Sequence, residues 1–215
     1  MVDHGFKVAV IEQTETPRML EERQKRERAN KTPVTKAGKC CARAICNMVT
    51  KGTYKAAEQT YMSKYVMAIK KHGSEFGVTF FDVTTLEIYI GQFTDDDNMS
   101  ALRTLICQIR PVEVIHEREI VNSDVIKMLK NSPCAPVFTP LPVQKCYSFV
   151  KTCTMIEKYF GENVQEWPEP LRKFKEADKD LAFNSFGMSI SFLTDALIDE
   201  QTLRPGLYKE YSVES

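Results

Sequence analysis

Three carboxylates stand where they could hold catalytic metal ions: Asp82 at the end of "VTFFDV", Glu87 within "LEIYIGQF" and Glu117 just after "VEVIH". Phosphodiester cleavage by two metals needs several carboxylates converging on ions about 4 Å apart. Thr84-Thr85 reads as the turn of a hairpin, and that pairing is expected to carry Glu87 to the opposite face from Asp82. No later helix supplies an unambiguous fourth ligand. Asp82 is therefore read as a residue that hydrogen-bonds the turn beside it.

Other chemistries are less well supplied. None of the nine glycines belongs to a Gly-x-x-x-x-Gly-Lys-Ser/Thr phosphate loop, and Gly38-Lys39 lacks both the upstream glycine and the following hydroxyl. His4, His72 and His116 have no serine or cysteine partner in a setting that suggests nucleophilic catalysis. Cys40, Cys41 and Cys46 cluster, but without Cys-x-x-Cys spacing or a histidine at zinc-finger distance, so they read as small apolar side chains. Two Phe-x-Glu strings, Phe160-Gly161-Glu162 and Phe174-Lys175-Glu176, have the types that stack on a base and hydrogen-bond to it. The first Phe completes an apolar helical stripe and the second lies in a charged helix, so both are expected to be structural. Lys36, Lys39, Arg43 and Lys51 lie around one predicted strand, where they could meet phosphates or form a solvated rim. Neither a cofactor nor a metal is expected on this chain.

The elements that must position these residues fall into two groups. In the first, "FKVAVIE" (6–12) reads as a buried strand. Thr16 then serves as N-cap and Pro17 as first residue of a charged surface helix. After a loop over 29–39, "RAICNMVTKGT" (43–53) forms a second strand closed by Lys51-Gly52-Thr53. In the second group, Tyr65, Met67 and Ile69 suggest a strand, and "VTFFDV" and "LEIYIGQF" two more. A helix follows, with Leu102, Leu105, Ile106 and Ile109 on one stripe and Pro111 as its stop. Then come a strand at 112–116, a short helix at 123–130 capped by Asn122 or Ser123, and a Pro-bounded edge strand at 135–140. A longer helix carries Phe149, Cys153, Ile156 and Phe160, and residues 166–178 form a polar connection with a short helix. Phe183, Phe186, Ile190, Leu193 and Leu197 form a last stripe, expected to pack back on the sheet. The tail from 199 shows no obvious terminal element, and both ends read as cut.

Three meandering strands followed by helix, strand, helix, strand, helix imply a mixed sheet with a parallel half. That is the order of the ribonuclease-H-like fold, a topological match that carries no chemistry. Composition sets further bounds. Lys plus Arg equals Asp plus Glu at 29 each, so no global field advertises nucleic acid. Seven cysteines, an odd number, suggest reduced thiols in a cytosolic or nuclear protein. No apolar run approaches membrane-spanning length, Met1 leads into no signal peptide, and no membrane partner is expected.

Several of these stretches together resemble the MutS-type DNA mismatch-repair proteins, most of all the large subunit of their eukaryotic base-mismatch heterodimer. "HGFKVAVIEQTETPRMLEER" is similar to the end of that family's mismatch-binding domain, and "ICNMVTKGT" to its last strand. "FGVTFFDVTTLEIYIGQFTDDD" (76–97) resembles the start of its connector domain. "SALRTLICQIRPVEVIHE" and "LAFNSFGMSISFLTDALIDEQTL" continue the match. The resemblance implies an α/β architecture: part of a mismatch-binding domain over 1–56, a ribonuclease-H-like connector over 57–200, and the start of the lever region or a tail over 201–215. It implies a non-catalytic relay in a nuclear protein whose full-length form uses ATP and Mg. It also implies three partners: DNA, bound weakly by this chain alone, a MutS-homologue partner subunit and a MutL-type protein. The family's stacking Phe-x-Glu lies upstream of the stretch matching Phe6 to Glu12. Cys41-Ala42-Arg43-Ala44 stands where the family reads Val-Val-Arg-Arg-Glu, with one basic and one acidic position lost. Rival readings on the same fold are a metal-dependent nuclease and a free-standing repair adaptor. The connector is expected to fold cooperatively, with residues 1–53 loosely held because two strands leave exposed edges.

Overall fold

One strand decides the architecture. Val66, Met67, Ala68 and Ile69 are consecutive and all buried, so the strand they form must have helices on both faces. In the computed structural model, which describes residues 1–30, 39–54, 63–118 and 123–213, that strand is β3 (Val66–His72), third of six in one sheet. Tyr65, Met67 and Ile69 are the apolar side that the sequence suggests, but Val66 and Ala68 line the opposite core.

The first unit is small. Strand β1 (Val8–Gln13) and strand β2 (Arg43–Val49) pair antiparallel, and helix α1 (Pro17–Ala29) lies between them in sequence. Thr16 is the N-cap, its Oγ1 accepting from Met19 N at 3.3 Å. Helix α1 buries no residue, as its charge pattern suggests, but β1 departs from expectation: it is exposed along nearly all its length, with Ile11 opposite Ile45 in the open. A two-stranded sheet has no second layer of its own to cover its faces.

In the second unit β4 (Glu75–Phe81) and β5 (Glu87–Thr94) continue antiparallel from β3, while β6 (Glu113–Glu117) and β7 (Val137–Leu141) run parallel on its other side. The spatial order is β7-β6-β3-β4-β5-β8, the ribonuclease-H-like arrangement with one strand added. That addition, β8 (Leu207–Glu210), pairs parallel with β5, so the tail does supply an element. Four residues with no apolar alternation give too short a signal to read. Pro140 sits in β7 at the free edge, where its missing N–H costs no ladder bond.

Helices α2 (Ser100–Ile109) and α3 (Ser123–Lys130) cover one face of the sheet. The cap proposed at Asn122 or Ser123 lies outside the described side chains. Helix α2 begins on the acidic run Asp95-Asp96: Asp95 accepts from Ala101 N and Leu102 N at 3.0 and 2.9 Å, Asp96 from Ser100 N at 3.0 Å. The other face holds α4 (Phe149–Phe160), α5 (Glu169–Glu176), α6 (Asp180–Asp195) and α7 (Asp199–Leu203). Phe183, Phe186, Ile190 and Leu193 pack on the sheet as expected. Leu197 does not: the helix has ended, its φ is +60° and it is half exposed. Gly77 lets α6 touch the sheet, since a Cβ there would lie 2.0 Å from the Leu181 carbonyl oxygen.

Candidate functional site

The two units meet at a short turn. Thr50 and Thr53 bracket Lys51-Gly52 and bond reciprocally: Thr50 N donates to Thr53 Oγ1 at 2.9 Å, and Thr53 N to Thr50 Oγ1 at 3.3 Å. Each hydroxyl thereby satisfies a backbone donor that the end of β2 leaves unpaired. The turn is buried against β6, where Glu113 is 1% exposed. Glu113 divides its carboxylate. Oε2 accepts from Thr50 Oγ1 at 2.7 Å and from Gly52 N at 3.0 Å, while Oε1 accepts from Thr139 Oγ1 of β7 at 2.6 Å. A buried carboxylate persists only with such partners. Gly52 must be a glycine for want of room: a Cβ would sit 2.1 Å from Val66 Cγ2.

In the sequence alone, 50–53 reads as a strand end and Glu113 as one more residue of "VEVIH". One signal could have found the site. A glutamate between Val112 and Val114, in a strand due to be buried on both faces, demands hydrogen-bond donors from elsewhere. Beside the turn a cleft of about 270 Å³ opens between β2 and α7, lined by Asn47, Val49, Tyr54, Val83, Ile198 and Gln201. The units therefore touch closely on the Glu113 side and leave a cleft beside α7.

A second polar cluster holds α1. Glu15 accepts from Arg23 Nε and Nη2 at 2.9 and 3.0 Å, and from Ala42 N at 3.0 Å. Arg23 also donates to Glu27 Oε1 and to the Cys40 carbonyl, both at 3.2 Å. The Ala42 contact is through the backbone, so the unusual side chains of 41–44 leave the clamp intact. The Arg23 hydrogen bonds, then the Ala42 N–H, lower the Glu15 pKa from its ordinary 4.5 to about 2. Because the folded value is the lower one, the clamp's contribution is full above about pH 4.5 and is lost as pH falls through about 2. The Ala42 amide shift should therefore titrate near pH 2 by NMR, and near the ordinary carboxylate range in Arg23→Met. A midpoint near 4.5 in the unaltered chain would show that the clamp does not form.

Of the predicted basic residues, the three that are described do not converge. Lys36 lies outside the described residues. Lys39 is exposed beside Cys40, next to the clamp, and Arg43 is exposed at the start of β2, opposite Gln13. Lys51 is half-buried at the far end of that strand, about 20 Å away by the rise of its residues. Lys39 and Arg43 instead flank the 40–42 segment that contacts Glu15 and Arg23.

The nuclease candidates are each engaged separately. Asp82, 2% exposed, accepts from Thr84 N at 2.7 Å and Thr85 N at 3.4 Å on one oxygen, and from Lys64 N at 2.9 Å on the other. This is the turn role its position suggested. Glu87 meets Tyr65 Oη at 3.3 Å and Lys209 Nζ at 2.5 Å, and Glu117 pairs with Lys70. Among the described residues no group of three or more His, Cys, Asp or Glu is placed to hold a metal. Phe174 is buried, and Phe160 packs edge-on against Tyr208 at 5.8 Å, so neither ring is free to stack on a base. His116 Nδ1 lies 3.0 Å from the Glu117 carbonyl, while His4 and His72 are exposed. Among the described residues no helix is long and apolar enough to cross a membrane.

The family profile described as MutS domain II matches residues 64–202, which hold five of the six strands of the larger sheet, β3 to β7. The chain is similar to the DNA mismatch repair protein Msh6 of Homo sapiens, at 30% identity over 98% of this chain and 17% of that protein. It is likewise similar to the probable Msh6 of Drosophila melanogaster, at 30% identity over 98% of this chain and 19% of that one. The MutS protein of Caldanaerobacter subterraneus is 25% identical over 91% of this chain and 19% of its own length. The chain thus spans less than a fifth of the length of these relatives. With most of its residues under the domain II profile, the chain belongs to the MutS family of DNA mismatch-repair proteins.

Proposed function

We infer that this chain is a non-catalytic relay segment of a mismatch-repair protein. Residues 1–56 are the C-terminal part of a mismatch-binding domain, residues 57–200 a connector, and residues 201–215 the start of a lever region or a tail. Mismatch binding and ATP-dependent signalling, with their ATP and Mg, belong to the full-length parent. Its partners are DNA, a MutS-homologue subunit and a MutL-type protein, and its place of action is the nucleus. Lys36, Lys39, Arg43 and Lys51 are proposed as DNA-proximal, meeting phosphates rather than base edges.

The observation that carries this reading is the state of Asp82. Both its oxygens accept from backbone N–H groups, so the acid is used to fix the turn and the start of β3 rather than held out for a metal. Equal numbers of basic and acidic residues point the same way for DNA, since non-specific affinity grows with the phosphates a protein neutralises.

Gel shifts with matched and G·T duplexes test both halves. Weak binding is expected, falling steeply with salt and equal for the two duplexes, with no cleavage in Mg²⁺ or Mn²⁺. Preference for the mismatch at equal salt would overturn the DNA assignment. Metal-dependent cleavage that vanishes in Asp82→Asn would overturn the non-catalytic one.

A further inference from the structure

We propose that Glu113 is a positioning residue: its Oε2 is a latch that sets the orientation of the β1–β2 sheet on the six-stranded sheet. The idea deepens the relay reading and rests on it for its functional consequence, because a relay needs a defined angle between the parts it joins.

The argument begins with the division of one carboxylate between two tasks. Oε1 bonds Thr139, the neighbouring strand of Glu113's own sheet. Oε2 bonds Thr50 and Gly52, residues outside that sheet and 63 and 61 positions away in sequence. Both Oε2 donors belong to the turn that directly follows β2, so whatever fixes the turn fixes the strand. The reciprocal Thr50–Thr53 bonds make the turn stiff, and Gly52 seats it against Val66 with no space for a larger residue.

Other contacts across the junction among the described residues are weaker. Met48 N reaches the Ala196 carbonyl at 3.4 Å. Lys7 Nζ stands 6.0 Å from the Phe192 ring centre, and Gly5 lies near the Val137 side chain. These hold the small sheet in proximity, but through one long hydrogen bond and through contacts that are not hydrogen bonds. The Glu113 contact is buried and made by short groups, so loss of its donors leaves an oxygen unsatisfied and the turn free to leave.

The split carboxylate supplies its own control. Thr50→Val removes the latch donor, and with it the acceptor for Thr53 N, while keeping the shape of the side chain. Thr139→Val removes a donor to the same carboxylate but on the sheet side only. Amide residual dipolar couplings on the 215-residue chain read the orientation of the two sheets. In the unaltered chain, couplings from β1, β2 and the six-stranded sheet should fit one alignment tensor. Thr50→Val and Gly52→Ala should lose the common fit, with smaller couplings for β1 and β2, while hydrogen exchange in β3 and β4 stays unchanged. Thr139→Val should speed exchange in β6 and β7 yet keep the common fit. A common fit that survives Thr50→Val, or its absence in the unaltered chain, would overturn the latch. Either result would leave the DNA and cleavage assays above to judge the relay reading by themselves.

Discussion

Truncating Phe183 to alanine should destabilise the chain by about 3–5 kcal/mol, the usual cost of emptying a phenylalanine site in a packed core. The ring is fully buried on α6 and lies 4.8 Å from the Phe149 ring of α4, tilted by 43°. It fills the layer between sheet and helices, where backbone on both sides limits collapse. Gly77 sits under the start of the same helix and Gly187, 2.3 Å from Thr152 Oγ1 if it bore a Cβ, further along. Contacts this close leave α6 little freedom to sink into a cavity. Urea unfolding should show a lower midpoint with an unchanged slope, because the surface exposed on unfolding is nearly the same. Leu197→Ala is the matched comparison, from the same sequence stripe but half exposed and beyond the helix end. It should change stability by under about 0.5 kcal/mol. Equal losses in the two variants would mean that the stripe packs as its periodicity suggests and not as the structure places it.

Removing the amine from Lys70 should be nearly as costly. Lys70 and Glu117 pair across the β3–β6 face, with side chains 19% and 3% exposed. Such a pair adds little net stability, since desolvation offsets much of the attraction, but breaking it strands one charge. Lys70→Met should therefore cost about 3–5 kcal/mol, the range for leaving a buried partner uncompensated. Lys70→Met with Glu117→Leu should recover most of that, since neither charge is then buried. Cys146 offers an independent reading. Burial first, then the Glu117 charge, pushes its pKa up to about 11, and Lys70 opposes the shift. Glu117→Gln should bring the onset of Cys146 alkylation to lower pH, and Lys70→Met should move it higher. If Lys70→Met changes neither stability nor alkylation, the pair is absent in solution.

Much of the larger unit was legible in the residues themselves. The hairpin from β4 to β5, the α2 stripe ending at Pro111, the Pro-bounded edge strand and the turn role of Asp82 all follow from local chemistry. Each is a period, a cap or a turn residue acting within a few positions, and short-range effects of that kind are encoded where they act. The resemblance to MutS-type proteins was readable for a related reason: its motifs are contiguous, and "FGVTFFDVTTLEIYIGQFTDDD" is a hairpin whose register and turn are specified together.

Tertiary structure alone decided the rest. Burial was misjudged for "FKVAVIE" because an apolar strand says that it can be covered, not that this chain covers it. Leu197 followed the helical period past the residue where the helix stops. Strand β8 is four residues long and forms because β5 offers a free edge. The dispersal of Lys39, Arg43 and Lys51 depends on which end of β2 each occupies. Glu113 is the sharpest case: its partners lie 26, 61 and 63 positions away. No periodicity links residues that distant. The need for them is written in the sequence, as a carboxylate in an apolar strand, but which donors answer it is settled only when the chain folds and brings the Thr50 turn to the sheet.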